Sequence, residues 1–214
     1  MIIIKTYNTT LALIITLIAS PLIVNAYVPY LTVGSGISIF EESSFIETGD
    51  FDSGFIDWES AHHFDAALGF DLENSYLIEI AASYLETDGN ITSDENIPIE
   101  NAETGLNYLC LGIDGKKEFS DFDNFTPFFC AGVGVVDVVL TDPSSNSELN
   151  ETSVSYNLGA GLSYNFSDNL NFYVKYSYYY IREIKFNSLQ PGSDDELHMD
   201  LEVQQFTFGL CWSF

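Results

Sequence analysis

Strict alternation of apolar and small polar residues, over segments longer than most strands, constrains this chain more than any other feature. Residues 151–165, ETSVSYNLGAGLSYN, show it most clearly, with apolar side chains on one face and serine, asparagine and glycine on the other. Such alternation is typical of a β-strand with two different faces. The other segments that show the pattern are 27–40, 61–70, 75–86, 100–113, 124–139, 170–181 and 203–214. In 100–113 and 124–139 apolar residues occur on both faces, so their orientation stays ambiguous.

The length of these segments and the rings at their ends indicate strands that cross a membrane. The segments run to about 10–16 residues, whereas strands of soluble proteins usually have about 5–6 and a membrane-spanning strand needs about 9–11. Aromatic clusters at Tyr178–Tyr180 and Trp212–Phe214 correspond to the girdles that flank the apolar band of a membrane barrel. A soluble β-sandwich also alternates, but its apolar face would point inward. Here the second face is too small to form a solvated exterior.

The connections between the segments alternate in length. The long, polar connections are residues 41–60, 87–99, 140–150 and 182–202, and the shorter ones are 71–74, 114–123 and 166–169. This order is expected for an up-and-down meander with one elaborated rim. Because unpaired backbone groups have no water in hydrocarbon, the sheet must close, with 203–214 paired to 27–40. We therefore predict an all-β fold, a closed eight-stranded antiparallel up-and-down transmembrane barrel, with both termini on the side of the short turns.

Residues 1–26 are predicted to be a secretory signal peptide. Lys5 is their one charged residue, an apolar run follows, and Ala26 precedes Tyr27, where the strand pattern begins. A basic start, an apolar core and a small residue at the cleavage position are typical of such peptides. A retained membrane anchor is the alternative, because the apolar run approaches spanning length. The barrel domain is then 27–214.

The chain is strongly acidic, which excludes some partners. It has 32 acidic and 6 basic residues, so phosphate recognition and nucleic-acid binding are not expected. Of those acids, 18 lie in the four long connections. Three interpretations remain open: a solvated surface that resists aggregation, calcium or magnesium capture, and docking of a basic host or envelope protein. The candidate clusters for cations are Asp50, Asp52 and Asp57, and Asp194, Asp195 and Glu196, without EF-hand spacing; we assign no metal site.

The interior of an eight-stranded barrel is just wide enough to be filled by side chains, so a general diffusion pore is not expected. The alternation places Asp65, Glu79 and Lys175 on inward faces, with Lys175 as the one inward base. Buried charges must be paired and hydrogen-bonded. We therefore predict an interior polar network of these three residues, with a proton or ion pathway as the alternative.

The last eight residues, TFGLCWSF, carry the most specific motif. Thr207, Gly209, Trp212 and Phe214 occupy positions that resemble the C-terminal signature of small outer-membrane barrels. With eight strand segments, the chain resembles the eight-stranded bacterial barrels of the OmpA-transmembrane, OmpX and opacity-protein type. The stretches FTPFFCAGVGV and YNLGAGLSYNFSDNLNFYVKYSYYY make it similar to alphaproteobacterial surface-antigen barrels in particular.

The resemblance implies a location and a role. The barrel would lie in the lipid of the bacterial outer membrane, with extracellular loops and periplasmic termini, and the barrel-assembly machinery would read the four C-terminal motif residues. The implied role is a surface antigen, an adhesin-like protein or a structural barrel. A narrow porin or ion-conducting barrel is the alternative, and a lipid-modifying enzyme is a more distant one.

Neither an enzyme nor a cofactor-binding protein is predicted. The histidines are His62, His63 and His198, and none has the serine two residues later that a lipid deacylase of the barrel type would need. Cysteine chemistry is more open, because the bacterial envelope is oxidising. Cys110 and Cys130 flank residues 114–123 almost symmetrically, so a cross-strand disulfide is possible.

Overall fold

The computed structural model describes residues 28–47, 53–72, 74–93, 98–119, 122–142, 147–187 and 196–214. Its strands are β1 (Pro29–Phe40), β2 (Ser43–Glu47), β3 (Ser53–Trp58), β4 (Ala61–Asp71), β5 (Tyr76–Ser93), β6 (Pro98–Glu118), β7 (Phe125–Asp142), β8 (Ser147–Ser167), β9 (Leu170–Asn187) and β10 (Glu196–Ser213). Within these ranges no helix has the length and apolarity to cross a membrane. The predicted signal peptide, 1–26, lies outside the described residues.

Eight of the strands form a closed ring. In the order β1, β4, β5, β6, β7, β8, β9 and β10, each pairs antiparallel with the next. The ring closes where β10 returns to β1, with Leu31 opposite Trp212 and Phe40 opposite Val203. The closed, eight-stranded up-and-down barrel is therefore confirmed, and the structure pairs its first and last strands as predicted.

The remaining two strands lie within the first long connection and extend the ring. β2 pairs with β10 at Leu197–Met199, β3 pairs with the last residues of β5, and β2 and β3 pair with each other. Thus β2 continues the column of β1 and β3 continues the column of β4. Residues 41–60, predicted as a loop, contain a hairpin that lengthens the barrel wall.

The barrel has two distinct ends, which we call the turn end and the loop end. The turn end carries the short connections around 72–75, 119–124 and 168–169, together with Pro29 and Phe214. The loop end carries the opposite ends of these strands together with the β2–β3 hairpin. Several strands have 18 to 21 residues, about twice the roughly 9–11 residues that cross a membrane. The barrel wall therefore extends well beyond one bilayer thickness.

The apolar face changes sides along the strands. On β7, Val133 and Val135 are 51% and 55% exposed on the outer face, whereas Val136 and Val138, further toward the loop end, are fully buried inside. Apolar side chains that point outward in the turn half fit a surrounding of lipid. Apolar side chains that point inward in the loop half fit a surrounding of water.

A hydrophobic core fills the loop half as a result. Its members include Leu85, Leu106, Val136, Val138, Ile181, Ile184, Phe186, Met199, Leu201 and Val203. A bulge on β9 preserves this inward direction, because Arg182 and Glu183 together lie opposite Asp200. Glu183 adopts a φ of 51°, and its N–H donates to Asp200 Oδ1 at 2.7 Å. The extra residue keeps Ile184 and Phe186 inside.

Candidate functional site

A polar network occupies the interior of the turn half. Lys175 Nζ lies 3.5 Å from Asp65 Oδ2, and the Thr207 hydroxyl donates to the same oxygen at 3.2 Å. His63 Nε2 is 2.9 Å from Thr207 Oγ1, and its Nδ1 is 2.9 Å from Ser38 Oγ. Because Thr207 has one proton, His63 donates from Nε2 and accepts from Ser38 at Nδ1. Two of the three predicted network residues, Asp65 and Lys175, thus meet.

Glu79, the third predicted member, is held differently. Tyr30 Oη donates to Glu79 Oε1 at 2.7 Å, and no ion pair joins Glu79 to Lys175 within the described residues. Glu79 nevertheless faces the same interior space as Asp65 and Lys175. Its hydrogen-bond partner is thus a neutral tyrosine rather than a base.

A second base, Lys116, also points inward, which corrects the prediction that Lys175 is the one inward base. Lys116 is 8% exposed. Its Nζ lies 3.0 Å from Glu118 Oε1 and 4.5 Å from the ring centre of Phe128. Lys116 lies in residues 114–123, which the sequence pattern indicated as a turn, whereas β6 continues to Glu118.

The same extension of β6 places another unpredicted acid inside the barrel. Asp114 is 4% exposed, and its Oδ1 accepts a hydrogen bond from Asn157 Nδ2 at 3.0 Å. Asp114, Asn157, Asp65, Glu79 and Lys175 line a common cavity of about 40 Å³. Alternating positions up to residue 118 would have revealed Asp114 and Lys116.

Ser38 and His63 are residue types that can serve as a nucleophile and its base, but a substrate has no access to them. Both side chains are fully buried. The nearest acid, Asp65, has its Oδ2 3.8 Å from His63 Nε2, whereas Ser38 contacts the opposite ring nitrogen, Nδ1. No substrate can approach a hydroxyl sealed inside the barrel wall. The geometry therefore supports a structural role for this pair.

The cavity ends at the hydrophobic core of the loop half. Cys110 and Tyr179 line the cavity and also belong to that core. Beyond them the interior is occupied by fully buried side chains such as Leu106, Ile181 and Phe186. The lumen is thus polar at one end and closed by apolar packing at the other.

The outer wall of the loop half is acidic, and we call this surface the acidic collar. Its exposed or half-buried members are Glu41, Glu42, Asp57, Glu59, Glu86, Asp88, Asp137, Glu148, Glu183, Asp200 and Glu202. Arg182 and Lys185 are the exposed lysine or arginine side chains of this wall within the described residues. Arg182 Nη2 lies 3.6 Å from Glu183 Oε1. The collar therefore carries a large excess of negative charge.

Three tyrosines of β9 attach one side of the collar to the apolar band. Tyr176 donates to Gln204 Oε1 at 3.2 Å, Tyr178 donates to Glu202, and Tyr180 donates to Asp200 Oδ2 at 3.0 Å. These rings stand where the outer face changes from apolar to charged. An amphipathic ring with a polar tip suits a membrane–water boundary.

Most of the acids proposed as cation ligands lie outside the part of the chain that the structure describes. Asp50, Asp52, Asp194 and Asp195 lie outside the described residues, and nothing is described of the Glu196 side chain. In the ranges that are described, no three histidine, cysteine or acidic side chains come close enough together to hold a metal ion.

The C-terminal motif residues divide between the two faces of β10. Thr207 is 1% exposed and belongs to the interior polar network. Gly209 faces Tyr173, since a Cβ at this glycine would lie 2.4 Å from Tyr173 Cζ. Trp212 and Phe214 point outward, and their rings stack with centroids 5.7 Å apart. Two motif positions are thus required by interior packing, and two are exposed.

The three cysteines are free in the structure, so the Cys110–Cys130 disulfide that the sequence left open is not formed. In the β6–β7 register Cys110 lies opposite Val136, and Cys130 lies opposite Lys116. Six residues along a strand correspond to about 20 Å, whereas a disulfide requires Cα atoms within about 7 Å. The two cysteines are placed symmetrically about residues 114–123. The connection between β6 and β7 lies at 119–124 instead, so this symmetry does not bring them opposite each other.

Comparison with known proteins agrees with this architecture. A family model described as "Outer membrane protein beta-barrel domain" matches residues 9–214. The chain belongs to this outer-membrane β-barrel family. Family membership places it in the bacterial outer membrane. No relative was found among curated protein sequences.

Solved structures of other outer-membrane barrels share the family fold. OprG from Pseudomonas aeruginosa superposes with a TM-score of 0.60 at 12% identity, covering 88% of this chain and 97% of that one. A major outer membrane protein from Thermus thermophilus gives 0.55 at 10% identity, with 89% and 100% covered. Neisserial surface protein A gives 0.54 at 15% identity, with 87% and 97% covered. At these identities the likeness is one of fold.

Proposed function

We propose that this family member is a non-conducting surface protein that acts through the outer wall and connections of its loop end, as a surface antigen or adhesin-like barrel. The observation that carries the proposal is the hydrophobic core that closes the lumen at that end. Val136, Val138, Ile181 and Leu201 are at most 1% exposed there. A narrow porin would need a continuous polar path through this layer, so activity is directed to the outside.

The proposed orientation has the loop end outside the cell and both termini in the periplasm. Two features support it. The β2–β3 hairpin and the acidic collar are at the loop end, and the exposed Trp212–Phe214 pair is at the turn end. Barrels of this type carry short turns on the periplasmic side, and an assembly signal is accessible there to the barrel-assembly machinery.

The proposed partner is a basic host or envelope protein. The collar presents many carboxylates against Arg182 and Lys185, and Arg182 is already paired with Glu183. A surface of one sign accelerates association with a partner of the opposite sign and sets its salt dependence. Nucleic acid is repelled by the same charge.

Current recording and cysteine labelling test the first two parts of the proposal. In planar bilayers the folded protein should give no sustained conductance, with a general diffusion porin as the positive control; sustained current steps would establish the porin alternative.

For orientation, Asn150→Cys at the loop end and Asp168→Cys at the turn end are compared in a background with the native cysteines replaced by serine. A membrane-impermeant maleimide should label position 150 on intact cells. Labelling of position 168 instead would reverse the orientation.

The charge of the collar is tested by neutralising part of it. Replacing Glu86, Asp88 and Asp137 by their amides should weaken binding of an arginine- and lysine-rich peptide to the barrel in nanodiscs and reduce its salt dependence. Asp123→Asn with Asp168→Asn removes charge from the turn end and is the control. Equal effects of the two changes would show that the collar is not a docking surface.

A further inference from the structure

The charged groups around the interior cavity are unbalanced. Three acids, Asp65, Glu79 and Asp114, and two bases, Lys116 and Lys175, line it. Each base already has an acidic partner, because Lys175 pairs with Asp65 and Lys116 pairs with Glu118 outside the lining.

Two carboxylates are therefore left with neutral donors. Glu79 accepts from the Tyr30 hydroxyl, and Asp114 accepts from the Asn157 amide. Neither takes part in an ion pair with a described residue. Buried ionised groups without a compensating charge are strongly disfavoured. Acids thus outnumber bases by one in the lining, and by two when Glu118 is counted.

The unsatisfied atoms around the cavity indicate the kind of ligand that would fill it. Asp65 has a side chain that is 10% exposed. Its Oδ1 is buried and has no hydrogen-bond partner among the described residues. The same holds for Asn157 Oδ1 on the facing wall. Both atoms are acceptors, so they call for a cation or a donor rather than an anion.

We propose that this cavity binds one partly hydrated divalent cation of the magnesium or calcium class. Asp114, Asp65 and Asn157 supply oxygens, and water completes the shell. A hard cation of this class takes oxygen ligands, and magnesium is commonly held by one or two carboxylates while it keeps several waters. The volume of about 40 Å³ exceeds the roughly 10–15 Å³ that a cavity needs to hold one water-sized ligand. The site lies inside the barrel wall and does not depend on the role of the loop end.

The ion content of the folded barrel tests the site. After removal of metal with a chelator, the detergent-folded protein is dialysed against MgCl₂ or CaCl₂ at about 1 M NaCl, where the Debye length is about 3 Å and surface carboxylates are screened. Wild type should retain one equivalent of divalent ion. Retention of none, with either ion, would overturn the proposal.

Two variants separate the interior site from the surface. Asp114→Asn keeps the size of the side chain and removes its charge, so it should lose that equivalent and lose the rise in melting temperature that the ion produces in wild type. Asp137→Asn removes an exposed acid from the neighbouring strand β7 and should keep both. If the ion raises the melting temperature of wild type and of Asp114→Asn equally, the ion binds to surface acids and the interior site is refuted. If Asp114→Asn does not fold, Asn157→Leu tests the same cavity without altering a charge and should also lose the equivalent.

Discussion

Asp65 on β4 and Lys175 on β9 meet inside the barrel, with 3.5 Å between Oδ2 and Nζ, although β1 and β10 separate their strands in the ring. The pair therefore bridges the interior rather than following the wall. Thr207 on β10 donates to the same carboxylate oxygen. Three columns of the barrel are thus joined at one atom of Asp65.

Removing the base from this junction should lower the stability of the barrel. In Lys175→Ala the buried Asp65 carboxylate loses its counter-charge, a change that typically costs about 3–5 kcal/mol. Thermal unfolding in detergent, followed by circular dichroism, measures the effect. Lys117→Ala is the control, because Lys117 is on the outer face of β6 and lies over the Tyr76 ring. An unchanged melting temperature of Lys175→Ala would refute the importance of the ion pair.

Two adjacent valines of β7 test the change of the apolar face along the strand. Val136 is fully buried in the core, whereas its neighbour Val135 is 55% exposed on the outer wall. Val136→Ala should destabilise the folded protein by on the order of 2 kcal/mol, since it leaves a cavity. Val135→Ala should cost about 1 kcal/mol or less. Urea unfolding in detergent compares them, and equal losses would contradict a packed core at the loop end.

Packing against Tyr173, rather than recognition by an assembly factor, should explain the need for glycine at position 209. A Cβ at position 209 would overlap the Tyr173 ring, so Gly209→Ala should cost about 1–3 kcal/mol through overpacking. Folding from urea into detergent, without any assembly machinery, isolates this effect. Tyr173→Leu in the same chain should restore most of the loss; no restoration would place the effect elsewhere.

The exposed end of the motif should behave in the opposite way. Phe214 is 66% exposed and contacts Trp212 on the outer face, so Phe214→Ala should change the stability of the refolded barrel by about 0.5 kcal/mol or less. In cells the same variant should reach the outer membrane in reduced amount, measured by fractionation. Normal amounts in the outer membrane would show that Phe214 is no part of an assembly signal.

Mass spectrometry of the folded protein without reduction should find three free thiols. Cys110 and Cys130 are each buried and lie six residues apart in the β6–β7 register, beyond the reach of a disulfide. Digestion after alkylation in denaturant should therefore recover both peptides in alkylated form. A linked pair of peptides from 110 and 130 would require a different register of β6 and β7.

The sequence predicted the barrel well because membrane strands obey a simple rule. In the turn half, lipid contacts every second residue, and Phe206, Phe208 and Leu210 on β10 show this without ambiguity. The rule fails in the loop half. There the inward residues Leu201 and Val203 become the apolar ones, and residues 100–113 and 124–139 contain the point of change. Each of those segments has apolar residues on both faces because its apolar side chains point outward in the turn half and inward in the loop half.

The amino-acid sequence by itself determined the number of strands around the ring, the closure of β10 on β1 and the inward direction of Asp65, Glu79 and Lys175. These depend on local alternation and on the requirement that no backbone group remain unpaired in hydrocarbon. The tertiary structure alone decided which interior groups meet. In it Lys175 pairs with Asp65 and Glu79 accepts a hydrogen bond from Tyr30. Asp114 and Lys116 are buried inside the barrel. Such contacts depend on the stagger between strands that are distant in the ring, and the alternation of a single strand carries no information about that stagger.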